Sequence, residues 1–217
     1  MPHPLAAALL AAMLLFTASA GADPLPVVHP PVSPTAEFEA PYALGIVAGG
    51  EMIEISGSFS RAMPQNLVAM LGRAPRVRTI RFDSPGGHVE PAMQIADIIR
   101  SRGLDTYVPR VCASACTVAF LAGKSRFLDT DARMGFHQAR APGVPPAYFD
   151  PALRGAYSKS GVPTAFIDHV LRTPPAALWY PTQAELRAAG LVTGPLPVTV
   201  PLEISREQAL RVLFPGG

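Results

Sequence analysis

Between residues 43 and 137, short apolar runs of strand type alternate with stretches of helical periodicity, and this alternation restricts the chain more than any other feature. Ala43 to Val47 and Met52 to Ile55 flank Gly49 and Gly50 and read as a hairpin-like pair of strands. Ser60 to Leu71 places Met63, Leu67, Met70 and Leu71 at helical spacing. Val77 to Phe82 alternates apolar residues with Arg78 and Arg81, which predicts a strand, and Asp83 to Gly87 ends it in a tight turn. Val89 to Ser101 reads as a helix with Ala92, Met93, Ala96 and Ile99 on one face and Gly103 as its stop. Thr106 to Val108 is a further strand, Ser114 to Ala122 a small apolar helix, and Arg126 to Leu128 and Met134 to His137 are short strand pieces. Helices are expected over roughly Pro146 to Ser160, Pro163 to Leu171 and Thr182 to Ala189. Strands joined by crossover helices imply an α/β fold with a mostly parallel sheet.

The chain has 217 residues, 49% hydrophobic and 16% charged, enough for one domain of ordinary size. A formal net charge of +2 offers no electrostatic case for nucleic acid or an anionic membrane surface as partner. Residues 1–22 carry an apolar run, Leu5 to Phe16, followed by small residues at Ala18, Ala20 and Ala22. That pattern fits a signal peptide, although only His3 precedes the run as a basic group. The run is shorter than the roughly 20 residues of a membrane span, so no stable membrane insertion is expected after cleavage. A periplasmic or secreted destination follows. Residues 23–41 are proline-rich and read as an extended linker, 42–195 as the folded domain and 196–217 as a tail. Arg206 to Leu213 in that tail reads as a short helix that could dock on a neighbour.

In parallel sheets functional groups collect in the turns at the strands' carboxyl ends, and three turns here are unusual. Ser114 stands where a strand region gives way to an apolar helix, between Ala113 and Ala115. Small neighbours allow a sharp turn, and a helix start aims free N–H groups at the site, as a nucleophile and its oxyanion need. Serine is equally a favoured helix N-cap, so position alone leaves both roles open. Gly86 and Gly87 follow Pro85 and permit a positive φ, either for an ordinary strand-to-helix turn or to present an N–H to a cleft. His137 ends a strand piece and could accept a proton at neutral pH, or be a satisfied structural histidine; His88 and His169 are alternative bases. The two cysteines, Cys112 and Cys116, flank Ser114 and could either pair in an oxidising compartment or pack as buried thiols. Two cysteines and scattered histidines make no metal-ligand set, and no cofactor is expected.

Taken in order, Asp83-Ser84-Pro85-Gly86-Gly87, Cys112-Ala113-Ser114-Ala115-Cys116-Thr117, Ala122-Gly123 and Met134-Gly135-Phe136-His137-Gln138 resemble the proteolytic subunit of the Clp protease, within the Clp-protease/crotonase superfold. Gly190-Leu191-Val192 is similar to that family's close, and the resemblance covers roughly residues 42 to 193. It extends to bacterial periplasmic proteins of the same superfold. The resemblance implies Ser114 as nucleophile, His137 as general base, and the N–H groups of Gly87 or Gly86 and of Ala115 as the oxyanion hole. The aspartate of the family's triad should fall near Thr173-Pro174-Pro175, where no carboxylate stands; Asp168 is the nearest candidate. The implied function is a serine hydrolase acting on peptide or protein chains. Outside the cytoplasm it would work without an ATP-driven partner, as a homo-oligomer if it follows its relatives.

Three rival readings follow from the same resemblance. A serine–lysine dyad would use Lys159 as base. A crotonase-type acyl-CoA enzyme would use the paired N–H groups without Ser114 and His137, and coenzyme A is not expected in an exported compartment. An inactive relative would keep the fold as a binding or assembly module.

Overall fold

The computed structural model describes residues 41–194; the signal-peptide, linker and tail readings therefore lie outside the described residues. Its elements follow the expected alternation. Strands β1 (Tyr42–Val47) and β2 (Met52–Gly57) form an antiparallel hairpin, closed by a turn in which Gly49 and Gly50 take φ of 64° and 92°. Helix α1 (Met63–Arg73), β3 (Thr79–Asp83), α2 (Val89–Arg102) and β4 (Asp105–Val108) come next. Then follow β5 (Val111–Ala113), α3 (Ala115–Phe120), β6 (Arg126–Leu128) and β7 (Arg133–Gly135). Helices α4 (Asp150–Lys159), α5 (Thr164–Arg172) and α6 (Gln183–Ala188) complete the described part. Among the described residues no helix is long and apolar enough to cross a membrane.

The main sheet has the order β1-β2-β3-β4-β6, and every pair after the hairpin is parallel. Alternation within the strands decides which face is buried. Ile53, Ile55, Ile80 and Phe82 are fully buried and share one cluster with Leu67, Leu71, Ile95 and Ile99 of α1 and α2. The intervening Glu54 and Arg81 are register partners and form an ion pair on the other face. Helix α2 ends where Gly103 adopts the left-handed conformation (φ 60°, ψ 34°), and its N–H caps the Arg100 carbonyl. Helix α6 starts with a capping box between Thr182 and Glu185.

One element departs from the expectation. After β4 the chain leaves the main sheet, and β5 forms a separate two-stranded parallel sheet with β7. The new strand attaches beyond the carboxyl end of β3: Ser84 N–H donates to the Val111 carbonyl (3.0 Å), and Ala113 N–H to the Ser84 carbonyl (3.0 Å). This places the end of β5, and hence Ser114, directly against the turn that follows β3. The stretch from Met134 to His137 is strand only to Gly135, because Phe136 and Gln138 bond instead to the segment after α5.

Candidate active site

Ser114 occupies the elbow between β5 and α3 with φ 53° and ψ −128°, a conformation that L-residues rarely adopt. Three hydrogen bonds hold it there. Its N–H donates to the Gly135 carbonyl (2.8 Å), and its own carbonyl accepts from the Thr117 N–H (3.0 Å) and the Thr117 hydroxyl (2.7 Å). The buried Tyr157 hydroxyl meets the Thr117 hydroxyl at 2.8 Å and so ties α4 to the elbow. Burial pushes the Tyr157 phenol up to about 12, so it is uncharged at neutral pH. Cys112 and Cys116 are joined as a disulfide across the elbow, with Cα atoms 5.4 Å apart and both residues fully buried.

The glycine turn is seated on this elbow. A Cβ on Gly86 would lie 2.7 Å from the Ala113 carbonyl oxygen and 2.7 Å from Ser114 Cβ; one on Gly87 would lie 2.5 Å from Phe59 backbone atoms. Both positions have positive φ, 107° and 140°. Ser84, itself fully buried, donates its hydroxyl to the Gly57 carbonyl (2.6 Å) and accepts from the Gly86 N–H (3.1 Å). The Gly86 N–H is therefore already engaged, which corrects its assignment as an oxyanion donor. Among the described residues the N–H groups of Gly87 and Ala115 have no acceptor.

His137 lies across the same cleft, a hollow of about 460 Å³ lined by Ser114, His137, Gly87, Arg140 and the Pro175–Leu178 segment. Its flanks are clamped to that segment. Phe136 exchanges two hydrogen bonds with Trp179 (2.8 and 2.9 Å), and Gln138 N–H donates to the Thr173 carbonyl (2.9 Å). The clamp sets His137 Nδ1 at 3.1 Å from the Pro175 carbonyl oxygen. A carbonyl can only accept, so Nδ1 carries the hydrogen of the neutral ring and Nε2 keeps its lone pair. Ser114 Oγ makes no hydrogen bond among the described residues, so serine and imidazole share the cleft without a hydrogen bond between them.

The remaining candidates sit elsewhere. Asp168 is not the partner of His137: it lies on the partly exposed side of α5 and pairs with Arg154 of α4 (2.7 Å). The backbone carbonyl of Pro175, at the place where the family resemblance calls for a carboxylate, faces the imidazole in its stead. Lys159 is exposed and pairs with Asp97 (2.8 Å), away from the Ser114 cleft, so the lysine-base reading is corrected as well. His88 is the exposed N-cap of α2, and His169 stacks on Trp179 with ring centroids 3.8 Å apart. Among the described residues no group of three His, Cys, Asp or Glu side chains is placed to hold a metal ion.

Burial, chiefly, holds the His137 imidazole below its ordinary 6.5, and the nearby Arg140 cation acts in the same direction; the Pro175 hydrogen bond opposes both. The ring is therefore neutral, and basic at Nε2, at pH 7. Titrating His137 by NMR should give a midpoint below 6.5, and Arg140→Gln should move it upward by removing a positive neighbour. A midpoint at or above 6.5 in the unmodified protein contradicts the buried environment described above.

No family model and no curated protein matches the chain. Solved structures do. ClpP1 from Listeria monocytogenes superposes with a TM-score of 0.58 at 17% identity, over 69% of this chain and 92% of that one. A point mutant of the same Listeria monocytogenes ClpP1 gives 0.56 at 20% identity, over 70% and 94%. The chain has the Clp-protease/crotonase-like fold. The match spans nearly the whole of ClpP1 and about seven-tenths of this chain.

Proposed function

We propose that this Clp-fold protein is an exported serine hydrolase that cleaves peptide or related acyl bonds without ATP, with Ser114 as nucleophile and His137 as base. The observation that carries the reading is the Nδ1–Pro175 hydrogen bond, which leaves the lone pair on Nε2 of an imidazole in the cleft of a serine at a strained elbow. In the reaction, Ser114 Oγ bonds to the substrate's carbonyl carbon while its proton passes to His137 Nε2. The negative charge that develops on the carbonyl oxygen is met by the N–H groups of Gly87 and Ala115. The imidazolium then returns the proton to the departing amine or alcohol as the old acyl bond breaks. Water repeats the path and frees the acid. A backbone carbonyl orients the imidazole but carries no full charge to stabilise the imidazolium, so a modest rate is expected.

The test is labelling of the purified protein by a neutral fluorophosphonate. The unmodified chain should be labelled at Ser114, and Ser114→Ala and His137→Ala should both abolish the signal. A well-folded sample that takes up no label, or a His137→Ala variant labelled as fast as the parent, overturns the reading. That result favours the inactive-relative alternative.

A further inference from the structure

The Ser114 cleft is poor in charge. Apart from Ser114, His137 and Arg140 it is lined by backbone and by apolar or small residues, Pro85, Gly87, Val89 and Ala139 among them, with the Pro175–Leu178 segment opposite. No carboxylate lines it among the described residues. Arg140 is exposed, and among the described residues it makes no ion pair or hydrogen bond. Four arginines of the domain are held in ion pairs, Arg81 to Glu54, Arg100 to Asp97, Arg110 to Asp83 and Arg154 to Asp168, whereas Arg73, Arg102 and Arg172 share with Arg140 the lack of one among the described residues. Of the carboxylates on the surrounding elements, Glu90 in the first turn of α2 is exposed and unpaired among the described residues, while two others are engaged. Asp150 accepts from the Gln138 amide (3.0 and 3.1 Å), and Glu185 closes the α6 capping box. The adjoining hollow, which shares Leu178 with the cleft, presents Arg172 and His169 and again no carboxylate.

A cation left without a counter-ion on a weakly polar wall keeps its attraction for an incoming anion, and a guanidinium matches a carboxylate in two-point geometry. An acyl group held at Ser114 lays its flanking residues along this wall. We infer that Arg140 selects substrates that carry a carboxylate beside the scissile bond, an inference that rests on the acyl-transfer reading of Ser114 and His137. That carboxylate can come from an Asp or Glu side chain or from a free chain end, and both present the same group to Arg140.

The experiment uses two peptidyl diphenyl phosphonates that differ only in Glu against Gln beside the phosphorus, with the neutral fluorophosphonate as reference. The Glu probe should label Ser114 about fivefold faster than the Gln probe, and high salt should shrink that ratio. Arg140→Gln should bring the ratio to about one, and Arg140→Glu should invert it. Because the two probes are compared on the same protein, any change in His137 basicity cancels. A second arm measures protection against the neutral reagent by a short peptide with a free carboxyl terminus and by its amide. Selective protection by the acid that disappears in Arg140→Gln assigns the chain end as the source of the carboxylate. Equal rates for Glu and Gln probes, with no advantage for the peptide acid, overturn the inference while a labelled Ser114 leaves the hydrolase reading intact. Failure of every probe, the neutral one included, removes both.

Discussion

Gly86→Ala is expected to lower labelling of Ser114 about a hundredfold, the penalty for displacing a reacting group by roughly 1 Å. The cause is steric and lies on the nucleophile itself. The added Cβ would meet the Ala113 carbonyl oxygen and Ser114 Cβ, each at 2.7 Å, and neither is the free end of a flexible side chain. The φ of 107° adds backbone strain for any L side chain. Strain and overpacking together amount to about 2–6 kcal/mol, so the melting temperature should fall as well. Gly103→Ala is the control. Its φ is also positive, at 60°, but its Cβ would meet nothing within 4 Å. That variant should lose only about 1–2 kcal/mol and keep its labelling rate. Equal labelling of Gly86→Ala and the parent would show that the glycine turn does not position Ser114.

Replacing Cys112 and Cys116 together by alanine should cost about 2 kcal/mol, the value expected for closing so small a loop, or a fall in melting temperature of about 4–8 °C. The larger consequence is local. The bridge spans the one residue in the elbow whose φ of 53° the chain would otherwise relax. Labelling of Ser114 should slow by on the order of tenfold even under conditions where the variant stays folded. Both cysteines are fully buried, so a mild reductant should act slowly on the folded protein and quickly once it is partly unfolded. Unchanged melting and unchanged labelling in the double variant would remove the bridge from any role at the site.

Much of this arrangement was legible in the amino-acid sequence, and the parts that were not have physical reasons. The β1–β2 hairpin, α2 with its Gly103 stop, and the parallel strands follow from hydrophobic period and turn residues, which are local signals. The capped start of α6 is equally local, since Thr182 and Glu185 stand three apart. Strand β5 is three residues long, too short for a period of two to show, and its pairing with β7 depends on tertiary contact. Ser114 and His137 could be put forward as candidates because both sit at element ends, in turns of unusual composition. The Gly86 N–H could not be assigned that way, because its acceptor, the Ser84 hydroxyl, is chosen by a side-chain rotamer rather than by spacing. Asp168 was put forward as the nearest carboxylate in the chain, but a helix surface facing Arg154 claimed it. The actual partner of His137 has no side-chain signature at all.

That last point changes how the site must be dissected. The group that holds the imidazole is a main-chain oxygen, and every one of the twenty amino acids at position 175 would bring the same oxygen. No side-chain truncation at that position removes the acceptor itself. What can move it is the course of the chain, set by the adjacent Pro174 and Pro175 and by the Phe136–Trp179 and Gln138–Thr173 hydrogen bonds on either side. Orientation of the base is thus inherited through loop length: a one-residue insertion between Thr173 and Trp179 would do what an aspartate-to-alanine change does in a triad of side chains.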